Sequence, residues 1–237
     1  KITIDYDLIQ YKNYKKNTSS LKREILVTSD GSTTIHLPEL DEQYHSKNGS
    51  INETYHVFIN SGLKLVSSEK VAILEIGFGT GLNSFITYLE GKRVIDYVGV
   101  EAYPVTAEEV EKMNFISVLK AEKDSAVFEK MHAISWGEKH QISETFSLLK
   151  RKQLFENIED EDAFNLIYFD AFGARVQPEL WSEEIFRKMF NALKENGILV
   201  TYSAKGSVRR AMQAVGFTVE RLPGPPGKRE MLRAIKK

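Results

Sequence analysis

The sequence has no cysteine and no long uncharged apolar segment. Without cysteine, disulfide frameworks, thiolate zinc sites, iron–sulfur clusters and cysteine nucleophiles are excluded. No run approaches the roughly 18 apolar residues of a membrane-spanning helix, and residues 1–5 lack the pattern of a signal peptide. The five histidines are scattered, so no metal site is expected. We therefore expect a soluble, cytoplasmic protein that binds neither a metal nor a membrane.

A strong excess of charge of either sign is also missing. Lys and Arg number 32 against 33 Asp and Glu, which gives a formal charge of −1. Since nucleic-acid-binding domains are usually basic, the overall charge argues against a nucleic-acid partner. The length of 237 residues fits one elaborated domain that can bury a substantial core without cross-links.

What the sequence does contain is an alternation of apolar runs and amphipathic segments. The apolar run at 71–76 is typical of a central buried strand. The spacing of Leu82, Phe85, Ile86 and Leu89 then predicts a helix packed on a sheet. Further strands are predicted at 94–100, 145–149, 164–169, 198–202, 217–222 and 230–235. Further helices are predicted after a Thr106 capping box, from a Ser182 cap to residue 195, and from a Ser207 cap to Gly216.

The order of these elements predicts an α/β fold. Strand–helix alternation indicates a doubly wound, mostly parallel sheet with helices on both faces. The last two strands have no helix between them and should form an antiparallel hairpin that makes one edge strand antiparallel. We expect a seven-stranded, Rossmann-like class I methyltransferase domain over residues 61–237. Residues 1–60 should form a small β-rich extension packed on it, with a hairpin of strands 25–28 and 33–37 and a long loop at 41–50.

The turn after the first strand of the sheet is rich in glycine. It has the sequence Glu-Ile-Gly-Phe-Gly-Thr-Gly over residues 75–81. Glycine permits tight turning and close approach of the backbone to a ligand, and the following helix N-terminus offers free N–H groups. The dinucleotide fingerprint needs glycine at position 82, which is Leu82, and a P-loop needs Gly-Lys-Ser/Thr. The remaining E-x-G-x-G-x-G pattern is typical of S-adenosylmethionine binding.

Two acidic residues end strands of the predicted sheet. Glu101 lies twenty residues after Gly81, where a carboxylate can accept both ribose hydroxyls of the cofactor. Asp170 ends the fourth strand, and ligands bind at the carboxyl ends of strands in open α/β sheets. An acidic residue at such a position can also simply cap a helix or begin a loop.

From about residue 25 to its end, the sequence resembles the MnmD/MnmC-type tRNA methyltransferases. The stretches that carry the resemblance are Tyr44 to Ser46 with Asn52 to Phe58, Glu75 to Asn83, Asp170 to Phe172 with Gln177 to Trp181, and Gly224 to Met231. Many methyltransferases share the glycine motif. The Phe78/Asn83 variant, the Pro-Glu-Leu-Trp segment and the Lys-Arg-Glu-Met ending are much narrower in combination.

The resemblance implies an activity. S-adenosyl-L-methionine would donate a methyl group to the primary amine of 5-aminomethyluridine, or its 2-thio form, at the tRNA wobble position. The product would be 5-methylaminomethyluridine or its 2-thio form. Fused members of the family add a flavin domain that prepares the amine. Here the chain ends at the last methyltransferase strand, so we expect the stand-alone form, with a functional link to a flavin-dependent tRNA-modifying enzyme.

The resemblance also implies roles for individual residues. Cofactor contacts are expected from Glu75, Gly77, Phe78, Gly79, Gly81, Asn83, Glu101 and Asp170. Asp170 is in addition expected to orient the amine and receive or relay its proton. Substrate contacts are expected from Tyr44, Phe172, Pro178, Trp181, Lys228 and Arg229. Two departures stand out: Gly173-Ala174 replaces the usual Ala-Pro, and residues 150–153 lack the acid expected to contact adenine. The adenine contacts are therefore left unassigned.

The balanced overall charge hides an uneven distribution. Residues 156–162 hold five acids and no base, whereas residues 205–237 hold nine bases and two acids. Clustered basic residues can follow tRNA phosphates in a neutral protein, although many surface charges are only solvated. Two alternatives stay open: a methyltransferase of a small-molecule or protein amine, and a non-catalytic cofactor-binding scaffold of a tRNA-modification complex.

Overall fold

The computed structural model describes residues 21–237. The strands are β1 Glu24–Val27, β2 Thr33–Leu37, β3 Glu42–Gln43, β4 Lys70–Ile76, β5 Val94–Glu101, β6 Lys139–Ser143, β7 Phe146–Lys152, β8 Phe164–Phe169, β9 Leu193–Thr201, β10 Thr218–Pro223 and β11 Glu230–Ile235. The α-helices are α1 Ser50–Thr54, α2 Leu82–Glu90, α3 Ala107–Glu111, α4 Phe115–Leu119, α5 Ser125–Ala133, α6 Glu183–Ala192 and α7 Gly206–Ala214. A π-helical segment, Tyr55–Asn60, directly follows α1.

The main sheet has the expected mixed, mostly parallel architecture. Its eight strands lie in the order β10-β11-β9-β8-β4-β5-β7-β6, and β4 pairs in parallel with β5 on one side and with β8 on the other. One apolar cluster covers each face of the sheet. The carboxyl ends of β4, β5 and β8 therefore meet at one edge, which is where ligands bind in such folds. No helix within residues 21–237 combines the length and apolar character needed to cross a membrane.

The closing hairpin is present, but its order in the sheet differs from the prediction. Strand β11 pairs antiparallel with both β9 and β10, so the antiparallel strand is second from the edge and β10 is the edge strand. Met231, Leu232 and Ala234 of β11 are all fully buried, whereas β10 contributes no fully buried residue. The more apolar strand takes the inner position because only that position buries both of its faces.

The opposite edge carries a strand that the sequence did not predict. Strand β6 pairs antiparallel with β7 and brings the sheet to eight strands rather than seven. Its sequence is Lys-His-Gln-Ile-Ser, in which only Ile142 is buried. An edge strand with one buried side chain has neither an apolar run nor an alternating pattern, so periodicity cannot detect it.

Two predicted helix boundaries were wrong. Helix α6 starts at the predicted Ser182 cap, whose hydroxyl accepts from the backbone N–H of Ile185, but it ends at Ala192 rather than residue 195. Leu193 instead begins β9 by pairing with Phe164 of β8. Helix α7 has Lys205 rather than Ser207 as its N-cap. The Thr106 capping box was predicted correctly.

A three-stranded antiparallel sheet, β1-β2-β3, precedes the main sheet in the chain. The predicted hairpin is therefore present, while the predicted loop at 41–50 contains β3 and the start of α1. The first twenty residues of the predicted extension lie outside the described residues. The small sheet is tied to the region of α3 and α4, since the backbone N–H of Thr33 donates to Asn114 Oδ1 (2.8 Å). Tyr44 and His45, which follow β3, lie beside the carboxyl end of β4, since Tyr44 packs on Gly79 and His45 contacts Thr80.

Candidate functional site

The glycine turn after β4 is held tightly against the end of β8. Gly77, Gly79 and Gly81 have φ angles of +90°, +48° and +72°, the left-handed region that favours glycine. A Cβ on Gly77 would lie 2.6 Å from the carbonyl oxygen of Asp170. That carbonyl is itself fixed, because the backbone N–H of Asp170 donates to Ile76 O (2.9 Å). The turn can therefore keep its path only with glycine at position 77.

Phe78 points down from this turn and supports it. Its side chain is 3% exposed and packs directly over Gly99 of β5. Its ring also contacts His132 and Trp136, with centroid distances of 6.1 and 6.2 Å. Part of Phe78 lines a cleft above the turn, hereafter the cleft, so the residue shapes the floor of the site. The cleft is also lined by Tyr44, Gly77, Gly79, Asn83, Glu101, Asp170 and Phe172.

Glu101, at the end of β5, faces the same cleft. Its Oε2 accepts from the backbone N–H of Gly79 (3.1 Å) and its Oε1 from that of Tyr103 (2.9 Å). Burial raises the pKa of this carboxyl, while the backbone donors oppose that shift. Each carboxylate oxygen can accept a further hydrogen bond. Glu101 is therefore placed to receive two hydroxyl donors from a ligand in the cleft.

Asn83 in the first turn of α2 joins two carboxyl groups. Its Nδ2 donates to Glu75 Oε1 (2.9 Å) and to Asp170 Oδ2 (2.8 Å). Its Oδ1 accepts from the Thr54 hydroxyl (2.8 Å). Because three partners fix the amide, its orientation is determined, and the two carboxyl groups are held at a defined separation.

Glu75 lies beneath the cleft and does not line it. Its side chain is fully buried, and burial raises its pKa well above the usual range. The expected cofactor contact of Glu75 can therefore be made only through Asn83 or the loop above it. Such a buried carboxyl stabilises the site from below by fixing Asn83.

Asp170 faces the cleft at the carboxyl end of β8. Burial is the largest cause that raises its pKa, to about 7, and the charge of Glu53 adds to it. Asn83 and Lys228 act in the opposite direction. A carboxyl group with a pKa near 7 can exchange a proton at neutral pH, which is the property that a general base requires.

An aromatic pair forms one side of the cleft. The rings of Tyr44 and Phe172 meet edge to face, with centroids 5.1 Å apart, and both line the cleft. Tyr44 also lies against Gly79, where an added Cβ would come within 3.1 Å of its ring. The pair thus bridges the glycine turn and the segment after Asp170.

Trp181 lies behind this wall and not on its surface. It is 5% exposed, and its ring packs against Phe169, Phe186 and Tyr202. Its Nε1 donates to the Phe172 carbonyl (2.8 Å). This position gives Trp181 the role of a core residue that orients Phe172, in place of the expected direct contact with a substrate.

The remaining three expected substrate residues are placed differently from one another. Pro178 is exposed at the start of a 3-10 turn and does not line the cleft. Arg229 is exposed on the turn between β10 and β11. Lys228 points inward and forms an ion pair with Glu53 (2.6 Å), so the expected contact between Lys228 and a phosphate does not fit its position.

Several residues at the site were not predicted. Glu53 and Tyr202 interact with Asp170 from distant parts of the chain, and Glu42 interacts with Tyr202. Leu154, Phe155 and Glu156 line the cleft just after β7. Glu53 lies within one of the stretches that carry the family resemblance, which was the available signal. Its burial and its partner depend on the fold and have no signature in the local sequence.

The residues present fit S-adenosyl-L-methionine. Gly77 and Gly79 line the cleft and present backbone without a side chain to it, and Glu101 offers acceptors at the position where a ribose would lie. Asp170 supplies negative charge at the other side of the turn, which suits the cationic part of this ligand. Within residues 21–237, no group of three or more side chains is arranged to hold a metal ion.

A family described as "S-adenosyl-L-methionine-dependent methyltransferase" has a model that matches residues 130–237. The matched residues make up less than half of the chain, and this part is similar to methyltransferases of the S-adenosyl-L-methionine-dependent class.

Within that class, the chain is similar to MnmC proteins, and the predicted resemblance is confirmed. It is 29% identical over 88% of its length to the "tRNA 5-methylaminomethyl-2-thiouridine biosynthesis bifunctional protein MnmC" of Cupriavidus metallidurans. It is 31% identical over 80% of its length to the protein of the same name from Aromatoleum aromaticum. The chain spans only 33% and 32% of these two relatives.

Solved structures share the fold. MnmC2 from Aquifex aeolicus superposes with a TM-score of 0.69 at 21% identity, covering 98% of this chain and 78% of that one. Spermidine synthase from Thermotoga maritima superposes with a TM-score of 0.58 at 13% identity, covering 91% of this chain and 69% of the other. Both likenesses concern the fold alone.

Proposed function

We propose that the protein methylates the primary amine of 5-aminomethyluridine, or its 2-thio form, at the wobble position of tRNA. The observation that carries the proposal is one cleft lined by the glycine turn, Glu101, Asp170 and the Tyr44–Phe172 pair. A cofactor, an amine and a base could be held there side by side. The names of the curated relatives, which describe tRNA 5-methylaminomethyl-2-thiouridine biosynthesis, support this substrate.

The cofactor half would be formed by the glycine turn, Asn83 and Glu101. Glu101 would accept the ribose hydroxyls with both carboxylate oxygens, while Gly77 and Gly79 let the backbone approach the ligand. When bound, S-adenosyl-L-methionine supplies an electrophilic methyl group. The protein then has mainly to position the two reactants, because the leaving group is good.

The reacting amine would be held by Asp170. A carboxylate attracts a primary ammonium group and can accept one of its protons, which leaves the nitrogen lone pair free to attack. The pKa of about 7 means that Asp170 can do both near neutral pH. Tyr44 and Phe172 would hold the uracil ring, and stacking of a base on an aromatic side chain contributes roughly 1–3 kcal/mol.

The tRNA backbone would follow exposed cations at the same edge of the sheet. Lys205 is the N-cap of α7, shortly after β9, Arg210 lies in the middle of that helix, and Arg229 lies on the turn before β11. None of the three forms an ion pair within the described residues. We further propose that the reaction is cytoplasmic and is functionally linked to a flavin-dependent activity that supplies the amine.

The test is methylation of tRNA that carries the aminomethyl group, followed by mass spectrometry of the wobble nucleoside. Wild-type protein should form the methylaminomethyl nucleoside. Asp170→Asn should retain cofactor binding within a few-fold and lose roughly 10²–10⁴-fold in rate. Asp162→Asn is the matched control, since Asp162 pairs with Lys236 outside the cleft. Equal rates for wild type and Asp170→Asn would remove Asp170 from the mechanism, and methylation of a small amine but not of tRNA would replace the substrate.

A further inference from the structure

Lys228 is a partly exposed lysine (its side chain is 31% exposed) whose ammonium group is directed toward buried residues. Its Nζ lies 2.6 Å from Glu53 Oε1 and 3.7 Å from the centroid of the Tyr202 ring. The three residues come from the turn between β10 and β11, from α1, and from the residue after β9. Lys228 therefore joins three segments that are distant in sequence but meet beside Asp170.

Glu53 needs this partner. Its side chain is 8% exposed, and its other oxygen, Oε2, accepts only the backbone N–H of Ser46 (3.0 Å). A buried carboxylate that loses its cation is strongly destabilising, because its charge is then uncompensated. The Lys228 ammonium supplies that compensation at hydrogen-bond distance.

Tyr202 connects the ion pair to the backbone beside Asp170. Its hydroxyl donates to the carbonyl of Ala171 (2.8 Å), the residue that follows Asp170. Burial raises the pKa of Tyr202 well above its usual value, so the phenol stays neutral. The face of a neutral phenol ring attracts an ammonium group, and Lys228 lies over that face.

Most of the groups around Asp170 are acidic or neutral. The titratable groups that act on it or on its neighbours are Glu75 of β4, Tyr97 and Glu101 of β5, Glu53 of α1, Tyr202 after β9, Glu42 of β3, Lys228 of the last turn, Arg23 just before β1, which acts on Glu101, and Arg175, which acts on Glu42. Asn83 of α2 adds a neutral donor. Within the described residues, Lys228 is the cation that acts on Asp170.

We infer that Lys228 is a positioning residue of the methyl-transfer site, which through Glu53 and Tyr202 fixes the geometry and the local charge around Asp170. The catalytic part of this inference, that the site transfers a methyl group, rests on the proposed function. The inference assigns the Lys228 ammonium to Glu53 and Tyr202 and leaves phosphate contact to exposed residues such as Arg229.

The inference predicts shifts of opposite sign from the two members of the ion pair. Without the Lys228 charge, Glu53 faces Asp170 uncompensated, so the Asp170 carboxylate becomes harder to form and its titration midpoint rises. Without the Glu53 charge, Lys228 acts on Asp170 alone, and the midpoint falls. Because the charge of Glu53 acts on Asp170 more strongly than that of Lys228, the fall of the midpoint in Glu53→Gln should exceed its rise in Lys228→Met.

The experiment measures the titration of the Asp170 carboxyl by ¹³C NMR in the full chain, together with the pH profile of tRNA methylation. Lys228→Met should raise the midpoint and move the acid limb of the rate profile upward by the same amount. Lys228→Arg should restore most of both. Glu53→Gln should move both downward. Lys205→Met, at an exposed lysine on the same edge, is the matched control and should leave the midpoint unchanged.

The outcomes separate this inference from the proposed function. Unchanged midpoints in Lys228→Met and Glu53→Gln would overturn the inference, as would a Lys228→Met protein that only weakens tRNA binding with a reduced salt dependence. Midpoints that shift as expected in a protein that does not methylate tRNA would uphold the positioning role and refute the proposed substrate. If Lys228→Met does not fold, Glu53→Gln and Lys228→Arg still decide the sign of the effect.

Discussion

The two halves of the cleft are built in different ways. The cofactor half comes from one stretch, residues 75–101, in which β4, the glycine turn, α2 and β5 follow one another. The half around the expected amine site is assembled from α1, the ends of β8 and β9, and the turn before β11, which are separated by up to 175 positions between Glu53 and Lys228. The first half depends on backbone geometry, whereas the second depends on buried charges that compensate one another.

This difference predicts different responses to substitution. Where an added Cβ would clash with a fixed carbonyl, the backbone has no room to adjust. A substitution of such a glycine in the first half should therefore abolish cofactor binding. A buried charge network can lose one member and still fold, but with altered pKa values at its neighbours. Changes in the second half should therefore tune the reaction more often than eliminate the ligand.

The largest effect is expected from Gly77→Ala. The added Cβ would lie 2.6 Å from the Asp170 carbonyl, at a φ of +90° that disfavours alanine. Cofactor affinity should fall by roughly 100-fold or more, since the left-handed strain alone costs about 1–2 kcal/mol and the clash adds to it. Isothermal titration with S-adenosyl-L-methionine measures the change.

Gly137→Ala is the control for this first prediction. Its φ of +86° is nearly the same, but a Cβ there would meet no atom within 4 Å. It should cost about 1 kcal/mol of stability with unchanged cofactor affinity. Equal cofactor affinities for the two variants would mean that the glycine turn does not bind the cofactor. The first half of the cleft would then not be the cofactor half.

A smaller loss is expected from Glu101→Gln, which preserves shape and removes charge. The amide keeps one acceptor oxygen, so it cannot accept two ribose hydroxyls while receiving the N–H groups of Gly79 and Tyr103. Hydrogen bonds to charged groups are worth about 1.5–3 kcal/mol, which corresponds to a loss of roughly 10- to 100-fold in cofactor affinity. The exposed Glu108→Gln provides the control. Affinity retained by Glu101→Gln would place the ribose elsewhere.

An element of this fold could be predicted from the sequence when the contacts that stabilise it leave a pattern in the local sequence. Strand β4 buries nearly all its side chains and was predicted to within one residue, because a central strand must be apolar throughout. Strand β6 buries one side chain and was missed. The end of α6 was misplaced because Leu193 gains its burial by pairing with Phe164, and that contact is visible only in the folded sheet.

The residues of the site also fall into two groups, those that the local sequence indicates and those that only the folded chain brings together. Gly77, Gly79, Glu101 and Asp170 lie at strand ends that the local pattern marks, and the structure brings all four to one cleft. The sequence suggested an external role for Lys228 because a lysine beside an arginine in a Pro/Gly turn is usually exposed. Its inward orientation depends on Glu53 and Tyr202, and neither proximity can be derived from residues 224–231 alone.

The smallest effect is expected at the basic surface, where the neighbours Lys228 and Arg229 should behave differently. Arg229→Gln removes an exposed charge that has no ion-pair partner within residues 21–237. Under the proposed function, tRNA affinity should fall a few-fold, and the slope of log affinity against log salt should decrease in magnitude by about 1. Arg233→Gln is the control, since Arg233 pairs with Glu220 at 2.7 Å and should not be available to a phosphate. Filter binding at several salt concentrations measures both slopes. Equal slopes for wild type and Arg229→Gln would exclude this turn from the tRNA footprint, because a phosphate contact cannot be lost without releasing fewer counterions.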